Sequence, residues 1–119
     1  MIFLNFSNHP SDKWGEVQLA AARTIGEVQD LKFPDVQVED TAGDIAALAD
    51  KICSQIPDEA TVMAQGEWSL TFAVTKRLRA RGIRVVVTTS RRDVVEEPQA
   101  DGSTRKSAIF RFAGFREID

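Results

Sequence analysis

The sequence has almost none of the residues from which metal sites and disulfides are built. Its 119 residues include one cysteine, one histidine and no tyrosine. A single cysteine, Cys53, excludes a disulfide within the chain. With only His9 beside it, the chain cannot supply the four Cys and His ligands of a structural zinc site. We therefore expect no metal site, and we expect Cys53, on the apolar side of a helix, to be inert.

Long apolar runs and nucleotide-cofactor motifs are absent as well. No stretch approaches the roughly 18 apolar residues of a membrane-spanning helix. The N-terminal stretch MIFLNFSNHP lacks the basic leader and the cleavage site of a signal peptide. Neither G-x-G-x-x-G nor G-x-x-x-x-G-K-[ST] occurs. These absences predict a cytoplasmic protein with no membrane partner and no bound cofactor.

The net charge of −3 conceals two halves of opposite sign. Residues 1–60 have four Lys or Arg against eleven Asp or Glu, whereas residues 61–119 have eleven against seven. A basic half is compatible with an anionic ligand, but a solvated helix face produces the same pattern. The charge pattern therefore permits an anionic partner without requiring one.

What the sequence does contain is a regular alternation of strand and helix. Apolar runs predict strands at 2–6, 27–33, 60–65 and 83–89, and apolar residues at helical spacing predict a helix between consecutive strands. We expect these helices to begin after Ser11, after Asp40 or Thr41, and near Glu67. Two last runs flank the Asp-Gly step of ADGS (100–103), which is typical of a hairpin turn.

This order of elements predicts one α/β domain that spans residues 1–119. Strand–helix–strand units with right-handed crossovers build a mostly parallel sheet with helices on both faces. We therefore expect a Rossmann-like, doubly wound sheet in three αβα layers, with a C-terminal antiparallel β-hairpin.

Ligands of such sheets bind beyond the carboxyl ends of the strands, near the point where the strand order reverses. Three segments rich in small, polar or charged residues follow predicted strands at that edge, 7–11, 65–69 and 88–92. The candidate ligand-binding residues within them are Ser7, Asn8, His9, Gln65, Gly66, Glu67, Trp68, Ser69, Thr88, Thr89, Ser90 and Arg91.

The chemistry of these segments favours a nucleotide or another phosphate ester. Gly66 would let the backbone approach a ligand, two helix N-termini would offer N–H groups to phosphate, and Arg91 would form a bidentate pair with it. Trp68 would offer a face for stacking a base. Structural alternatives exist for two of these residues, since Trp68 also suits a core or interface position and Glu67 the positive end of its helix.

The same segments carry a resemblance to a known family. Asn8-His9 after the first strand, QGEWSLTF (65–72), TTSRR (88–92) and FRFAGFREI (110–118) resemble, in this order, the motifs of small stand-alone CRISPR-associated proteins with a CARF-like Rossmann fold. Phe115 and Arg116 match the last motif. The chain departs from it where Ala113 replaces a valine and Ile118 a tyrosine, and Thr88 stands where alanine is common.

The resemblance implies a function in type III CRISPR signalling. Proteins of that family bind cyclic oligoadenylate, and several are ring nucleases that degrade it. It implies that Asn8, His9, Gln65, Gly66, Glu67, Thr89, Ser90 and Arg91 surround the ligand. It also implies a homodimer, whose two-fold axis suits a cyclic tetra-adenylate ring. Duplex nucleic acid is not an expected partner.

Cleavage of such a ring requires little covalent chemistry from the protein. The 2′-OH of the substrate attacks in line and leaves a 2′,3′-cyclic phosphate, while the protein aligns the groups and stabilises charge. The hypothesis assigns charge stabilisation to Arg91 and Ser90, and proton transfer to His9 or Glu67. Two alternatives stay open. The protein binds the messenger without cleaving it, or it acts on a mononucleotide or nucleoside with Glu67 as the nucleophile.

Overall fold

The computed structural model describes residues 1–119, which form five strands and three α-helices. In chain order these are β1 (Ile2–Ser7), α1 (Glu16–Ile25), β2 (Glu27–Lys32), α2 (Ala42–Ser54), β3 (Ala60–Gln65), α3 (Trp68–Ala80), β4 (Arg84–Pro98) and β5 (Thr104–Glu117). A single 3-10 turn, Ser11–Lys13, precedes α1. The two longest helices have 13 residues, and no helix is long and apolar enough to cross a membrane.

The five strands form one sheet in the order β2-β1-β3-β4-β5. The first four are parallel, and β5 returns antiparallel to β4. Helix α1 connects β1 to β2 on one face, while α2 and α3 pack together on the other, because the chain reverses its direction of travel across the sheet at β1. The predicted Rossmann-like α/β fold with a C-terminal hairpin is confirmed.

The two faces of the sheet bury unequal cores. A cluster of 16 buried residues, including Phe6, Phe33 and Leu70, fills the space between the sheet and the pair α2 and α3. On the α1 face the cluster has five buried residues, among them Phe3, Trp14 and Met63. The α1 face is therefore thinly covered, and part of its polar edge stays open to solvent.

The first helix begins later than its sequence predicts. Ser11 was expected to cap it, but α1 starts at Glu16 after Gly15, which makes no side-chain cap. The Ser11 hydroxyl instead donates to Asp30 Oδ2 at 3.0 Å, which fastens the segment before the helix to β2. The expected cap of α2 is confirmed, since Thr41 and Asp44 form a reciprocal capping box.

Strand β4 does not end at residue 89, where the apolar pattern ends. It continues through Pro98 and pairs with β5 as far as Thr104, with one irregularity between Thr89 and Ser90. The turn between them includes Gly102 at φ +88°, which confirms the predicted Asp-Gly turn. Residues 90–111, called the arm below, are all exposed.

The arm changes the overall dimensions of the molecule. A compact chain of this length has a radius of gyration of about 13.5 Å, whereas the chain measures 17.5 Å, with extents of 57 × 38 × 26 Å. The two-stranded ribbon therefore projects from the domain as a separate feature.

Candidate functional site

A cavity of about 520 Å³ opens at the carboxyl ends of β1 and β3, beside Thr88 of β4. It lies between β1 and β3, where the strand order reverses, which is the usual ligand position in this class of sheet. Its lining consists of Ser7, Asn8, His9, Trp14, Gln18, Met63, Gln65, Gly66 and Thr88. Six of the twelve residues expected at the site, namely Ser7, Asn8, His9, Gln65, Gly66 and Thr88, are thus brought together.

The cavity lies on the α1 face of the sheet. Side chains alternate between faces along a strand, so Ser7 shares a face with buried Phe3, and Gln65 shares one with Met63. Trp14, just before α1, and Gln18, in its first turn, form the wall opposite the strands. The site is therefore enclosed by the sheet edge below and by the beginning of α1 above.

Hydrogen bonds between side chains and the main chain of His9 hold the loop after β1 in one conformation. The carbonyl oxygen of His9 accepts from Asn5 Nδ2 at 2.9 Å and from Trp14 Nε1 at 3.2 Å. The N–H of His9 donates to Ser7 Oγ at 3.2 Å. Because these bonds use only the main chain of His9, its imidazole and the Asn8 side chain stay exposed without an intramolecular hydrogen bond.

Asn5 is the centre of this network. Its side chain is 1% exposed, and Nδ2 also donates to Asp30 Oδ1 at 2.9 Å, while Oδ1 accepts from Ser7 Oγ at 2.6 Å. One buried amide therefore connects β1, β2 and the cavity loop. It positions His9 without lining the cavity itself.

Gln65 bridges the gap where β3 and β4 separate. The β3–β4 pairing ends at Met63 and Val86. Beyond it, Gln65 Oε1 accepts from the backbone N–H of Thr88 at 2.9 Å. This contact fixes the carbonyl end of the Gln65 amide and directs its NH₂ group away from the Thr88 backbone, beside the cavity.

The electrostatic character of the lining is distinctive in an acidic protein. None of the nine lining residues carries a carboxylate, although the chain has 18 Asp and Glu. Helix α1 begins beside the cavity and has no side-chain cap, so its first N–H groups are free of protein partners. Both features favour an anionic or electron-rich ligand. No three His, Cys, Asp or Glu side chains lie close enough to hold a metal ion.

Gly66 has a different role from the expected one. A Cβ at this position would lie 2.6 Å from Cζ of the Phe33 ring, which is buried against the α2–α3 side of the sheet. The expectation was that glycine makes room for a ligand. Instead it makes room for Phe33, whose ring stacks on Phe6 at 4.7 Å between centroids. Only its backbone lines the cavity.

Glu67 is occupied as the cap of α3. Its carboxylate accepts from the N–H groups of Ser69 and Leu70, both at 2.9 Å, and from the Ser69 hydroxyl. The Ser69 hydroxyl and these N–H groups hold the pKa of the Glu67 carboxyl below its usual value. The helix N-terminus expected to bind phosphate is thus already capped. Glu67 is exposed and lies outside the cavity lining, so it is not the buried carboxylate that the nucleoside alternative requires.

Trp68 and Ser69 lie in another part of the molecule. Both line a groove between α2 and α3, together with Phe72 and Lys76. Trp68 is 77% exposed and contacts Phe72 at 6.2 Å between ring centroids. The cavity after β1 therefore does not include the tryptophan that was expected to stack a base there.

Thr89, Ser90 and Arg91 lie outside the cavity lining, beyond Thr88. Thr89 donates its hydroxyl to the carbonyl of Gly114 at 3.0 Å, and Ser90 and Arg91 pair with Phe112 and Arg111 at the base of the arm. Arg91 forms no ion pair, whereas most arginines of the basic half do, as in Arg77–Asp50 and Arg81–Asp58. The expected loop of 88–92 is thus a strand segment.

Sequence reasoning missed Asn5, Trp14, Gln18 and Met63 at or behind the site. Asn5 gave one usable signal, since it is the only polar residue within the apolar run IFLNF. Trp14 is buried in the core, and its indole N–H also holds the cavity loop. Gln18 and Met63 have no local signal of a site.

Fold and cavity together define the class of protein. The chain is a Rossmann-like α/β protein with a polar, carboxylate-free site at the switch point of its sheet and a projecting β-arm. The family model described as the uncharacterized protein MJ1673 family matches residues 1–116, and the chain belongs to this family. No curated protein is significantly similar to the chain in sequence.

Proposed function

We propose that the protein binds cyclic oligoadenylate, with cyclic tetra-adenylate as the ligand, at the cavity after β1 and at the interface of a homodimer. The observation that carries this proposal is the convergence of Asn8, His9 and Gln65 on a site without carboxylates. The resemblance of the motifs at 8–9, 65–67 and 88–92, of which residues 8–9, 65–66 and 88 line the cavity, supports the second messenger of type III CRISPR systems as the ligand.

The lining suits an adenylate in particular. Amide side chains pair with the N6 and N7 positions of adenine, and the cavity offers three of them, Asn8, Gln18 and Gln65. The hydroxyls of Ser7 and Thr88 suit ribose and phosphate oxygens. The uncapped start of α1 favours the negative charge of a phosphate.

Binding without cleavage is the function that the side chains support best. His9 is the only residue of the lining whose side chain is of a type that commonly acts as a general acid or base. Glu67, its expected alternative, is held as an ionised cap by Ser69 and Leu70. A protein of this kind lowers the free concentration of its ligand in proportion to its own abundance.

Cleavage is the second candidate, and the conformation of His9 favours it. The backbone of this residue is clamped while its imidazole is unengaged, as a general base requires. Ser90 and Arg91 follow Thr88 closely, so a ring that fills the cavity can extend to them. In this reaction the 2′-oxygen bonds to phosphorus, its proton passes to His9, and the 5′-oxygen leaves and takes up a proton.

One incubation separates the candidates. Excess protein is mixed with cyclic tetra-adenylate in EDTA, the protein-bound nucleotide is recovered, and its form is determined by chromatography. For wild type we expect the ring to be retained by the protein and recovered intact. His9→Ala should retain less, while Arg23→Ala, which removes an exposed arginine at the far end of α1, should match wild type.

Each other outcome has a definite meaning. Linear product with wild type and none with His9→Ala establishes the nuclease instead of the binder. Loss of linear product in Arg91→Ala assigns that arginine to the reaction. A ring that is neither retained nor cleaved contradicts the proposal.

A further inference from the structure

The arm carries apolar side chains that nothing in the chain covers. Phe110 is 69% exposed and Val94 is 56% exposed. An isolated two-stranded ribbon is marginally stable in water and gains stability when one face packs on another element. Within one chain, no helix or loop lies over these residues.

The two faces of the arm differ in composition. Directly paired residues share a face, so Ser90–Phe112, Arg92–Phe110, Val94–Ala108 and Glu96–Lys106 form one face. We call this the aromatic face. The opposite face has Arg91–Arg111, Asp93–Ile109, Val95–Ser107 and Glu97–Arg105, and an ion pair joins Arg111 to Asp93 at 3.0 Å.

The aromatic face continues the α1 face of the domain. Phe112 contacts Phe115 with ring centroids 5.1 Å apart, and Phe115 contacts buried Phe3 at 4.9 Å. Thr88, which lines the cavity, lies on this same face as the partner of Phe115. A row of apolar side chains therefore leads from the core, past the edge of the cavity, onto the arm.

On the aromatic face Lys106 pairs with Glu96 at 3.6 Å, while the opposite charges of Arg92 and Glu96 lie symmetrically about Val94. Arg92 lies two residues before it and Glu96 two residues after it, about 7 Å away in each direction at the usual strand rise. A two-fold axis that crosses the arm at Val94 places Arg92 of one copy opposite Glu96 of the second copy. It also places Phe110 of one copy opposite the aliphatic stem of Lys106 of the second copy. Val94 and Ala108 each lie opposite the same residue of the second copy.

We infer that the aromatic face of the arm is the dimer interface, and that its occupant is the aromatic face of a second copy, stacked antiparallel about a two-fold axis at Val94. Opposite charges then meet at both ends of an apolar centre. The contact is isologous, so it closes with two chains and covers the aromatic face of both.

This dimer brings the second copy to the cavity. Thr88 lies six residues, or about 20 Å, from Val94 along β4. The turn 99–103 of the second copy extends about as far in the opposite sense and comes to lie beside the cavity mouth. The two cavities of a dimer are then about 40 Å apart, so each binds its own ligand beside the partner's turn, instead of sharing one ring on the two-fold axis as the resemblance implies. This last statement rests on the proposed function, whereas the dimer contact does not.

Oligomeric state in the absence of nucleotide tests the contact directly. By light scattering after gel filtration, wild type should have twice the 13.2 kDa mass of one chain. Phe110→Asp should weaken the dimer about 30-fold or more, as loss of a central hot spot does. Ile109→Asp is the matched control, because the neighbouring residue lies on the opposite face and is 43% exposed. It should stay dimeric.

A charge swap tests the symmetry. Arg92→Glu should weaken the dimer, and Arg92→Glu combined with Glu96→Arg and Lys106→Glu, which keeps the Glu96–Lys106 ion pair in reversed form, should restore it. A monomeric wild type, equal effects of Phe110→Asp and Ile109→Asp, or no rescue by the swap overturns the inference. Far-ultraviolet circular dichroism of each variant shows whether it folds. If Phe110→Asp does not fold, the charge-swap variants still test the interface.

Titration of cyclic tetra-adenylate then separates this inference from the proposed function. One ring per chain is expected. One ring per two chains overturns the axis at Val94, even if the protein is a dimer. A wild-type dimer that passes the variant tests but binds no ring supports the contact and contradicts only the proposed function.

Discussion

Asn5→Ala is expected to lower the free energy of unfolding by about 2–4 kcal/mol, because each buried polar group left unpaired costs about 1–3 kcal/mol. The substitution removes the donor to the His9 carbonyl and to Asp30, and the acceptor of the Ser7 hydroxyl. Urea unfolding monitored by circular dichroism measures the change.

The same substitution should weaken ligand binding about tenfold or more, a loss of at least 1.4 kcal/mol. Asn5 does not line the cavity, so the loss would arise because the loop that presents Asn8 and His9 is no longer held in one conformation. Asn8→Ala provides the contrast. The Asn8 side chain makes no intramolecular hydrogen bond, so the stability of Asn8→Ala should stay within about 0.5 kcal/mol of wild type while ligand binding weakens. Equal losses of stability in both variants would contradict the role given to Asn5.

Gly66→Ala is expected to destabilise the fold by about 3 kcal/mol, at the upper end of the usual cost of overpacking a core. The new methyl group would collide with the ring of Phe33, which is 1% exposed and stacked on Phe6. The ring has nowhere to move, since it is buried between the sheet and the helices. Thermal and urea unfolding of the variant measure the effect.

A second substitution shows whether Phe33 is the cause. Gly66→Ala combined with Phe33→Leu should lose less stability than the two single changes added together, since the smaller side chain relieves the collision. Gly43→Ala is the matched control, because a Cβ there has no neighbour closer than Thr41 Oγ1 at 3.7 Å. It should leave stability unchanged or slightly raised. Additive effects of Gly66→Ala and Phe33→Leu would show that the ring is not involved.

The helices and strands outside the arm could be predicted because buried elements have a recognisable pattern of apolar residues. β1 and β3 are buried on both faces and are almost continuously apolar, and Thr41 with Asp44 forms a capping box that local sequence identifies. The strand order then placed Ser7, Asn8, His9, Gln65, Gly66 and Thr88 at one edge, where the cavity lies.

The hairpin turn of the arm was predicted, but the direct continuation of β4 into the arm could not be read from the sequence in the same way. Strand pairing along residues 90–98 stabilises the ribbon, but neither face is buried, so no alternation of apolar and polar residues marks it. The polar segment TTSRR therefore has the composition of a loop and the conformation of a strand. For that reason Ser90 and Arg91 were expected beside the cavity but lie at the base of the arm.

A second limit of prediction from sequence is the direction in which a side chain points, as Gly66, Glu67 and Trp68 show. The segment after β3 reaches the expected edge, but sequence does not show which way each residue faces. Glu67 turns back onto the first N–H groups of α3, and Trp68 lies between α2 and α3. The Phe33 ring fills the space that a side chain at position 66 would occupy. These assignments depend on tertiary contacts that only the folded chain defines.

Isothermal titration of cyclic tetra-adenylate into the wild-type protein tests the central claim most directly. We expect saturable binding of the ring, weakened by His9→Ala and by Gln65→Ala, with much weaker binding of linear tetra-adenylate and of AMP. If the ring produces no saturable heat, or if His9→Ala and Gln65→Ala bind it as tightly as wild type does, the cavity after β1 is not a cyclic oligoadenylate site.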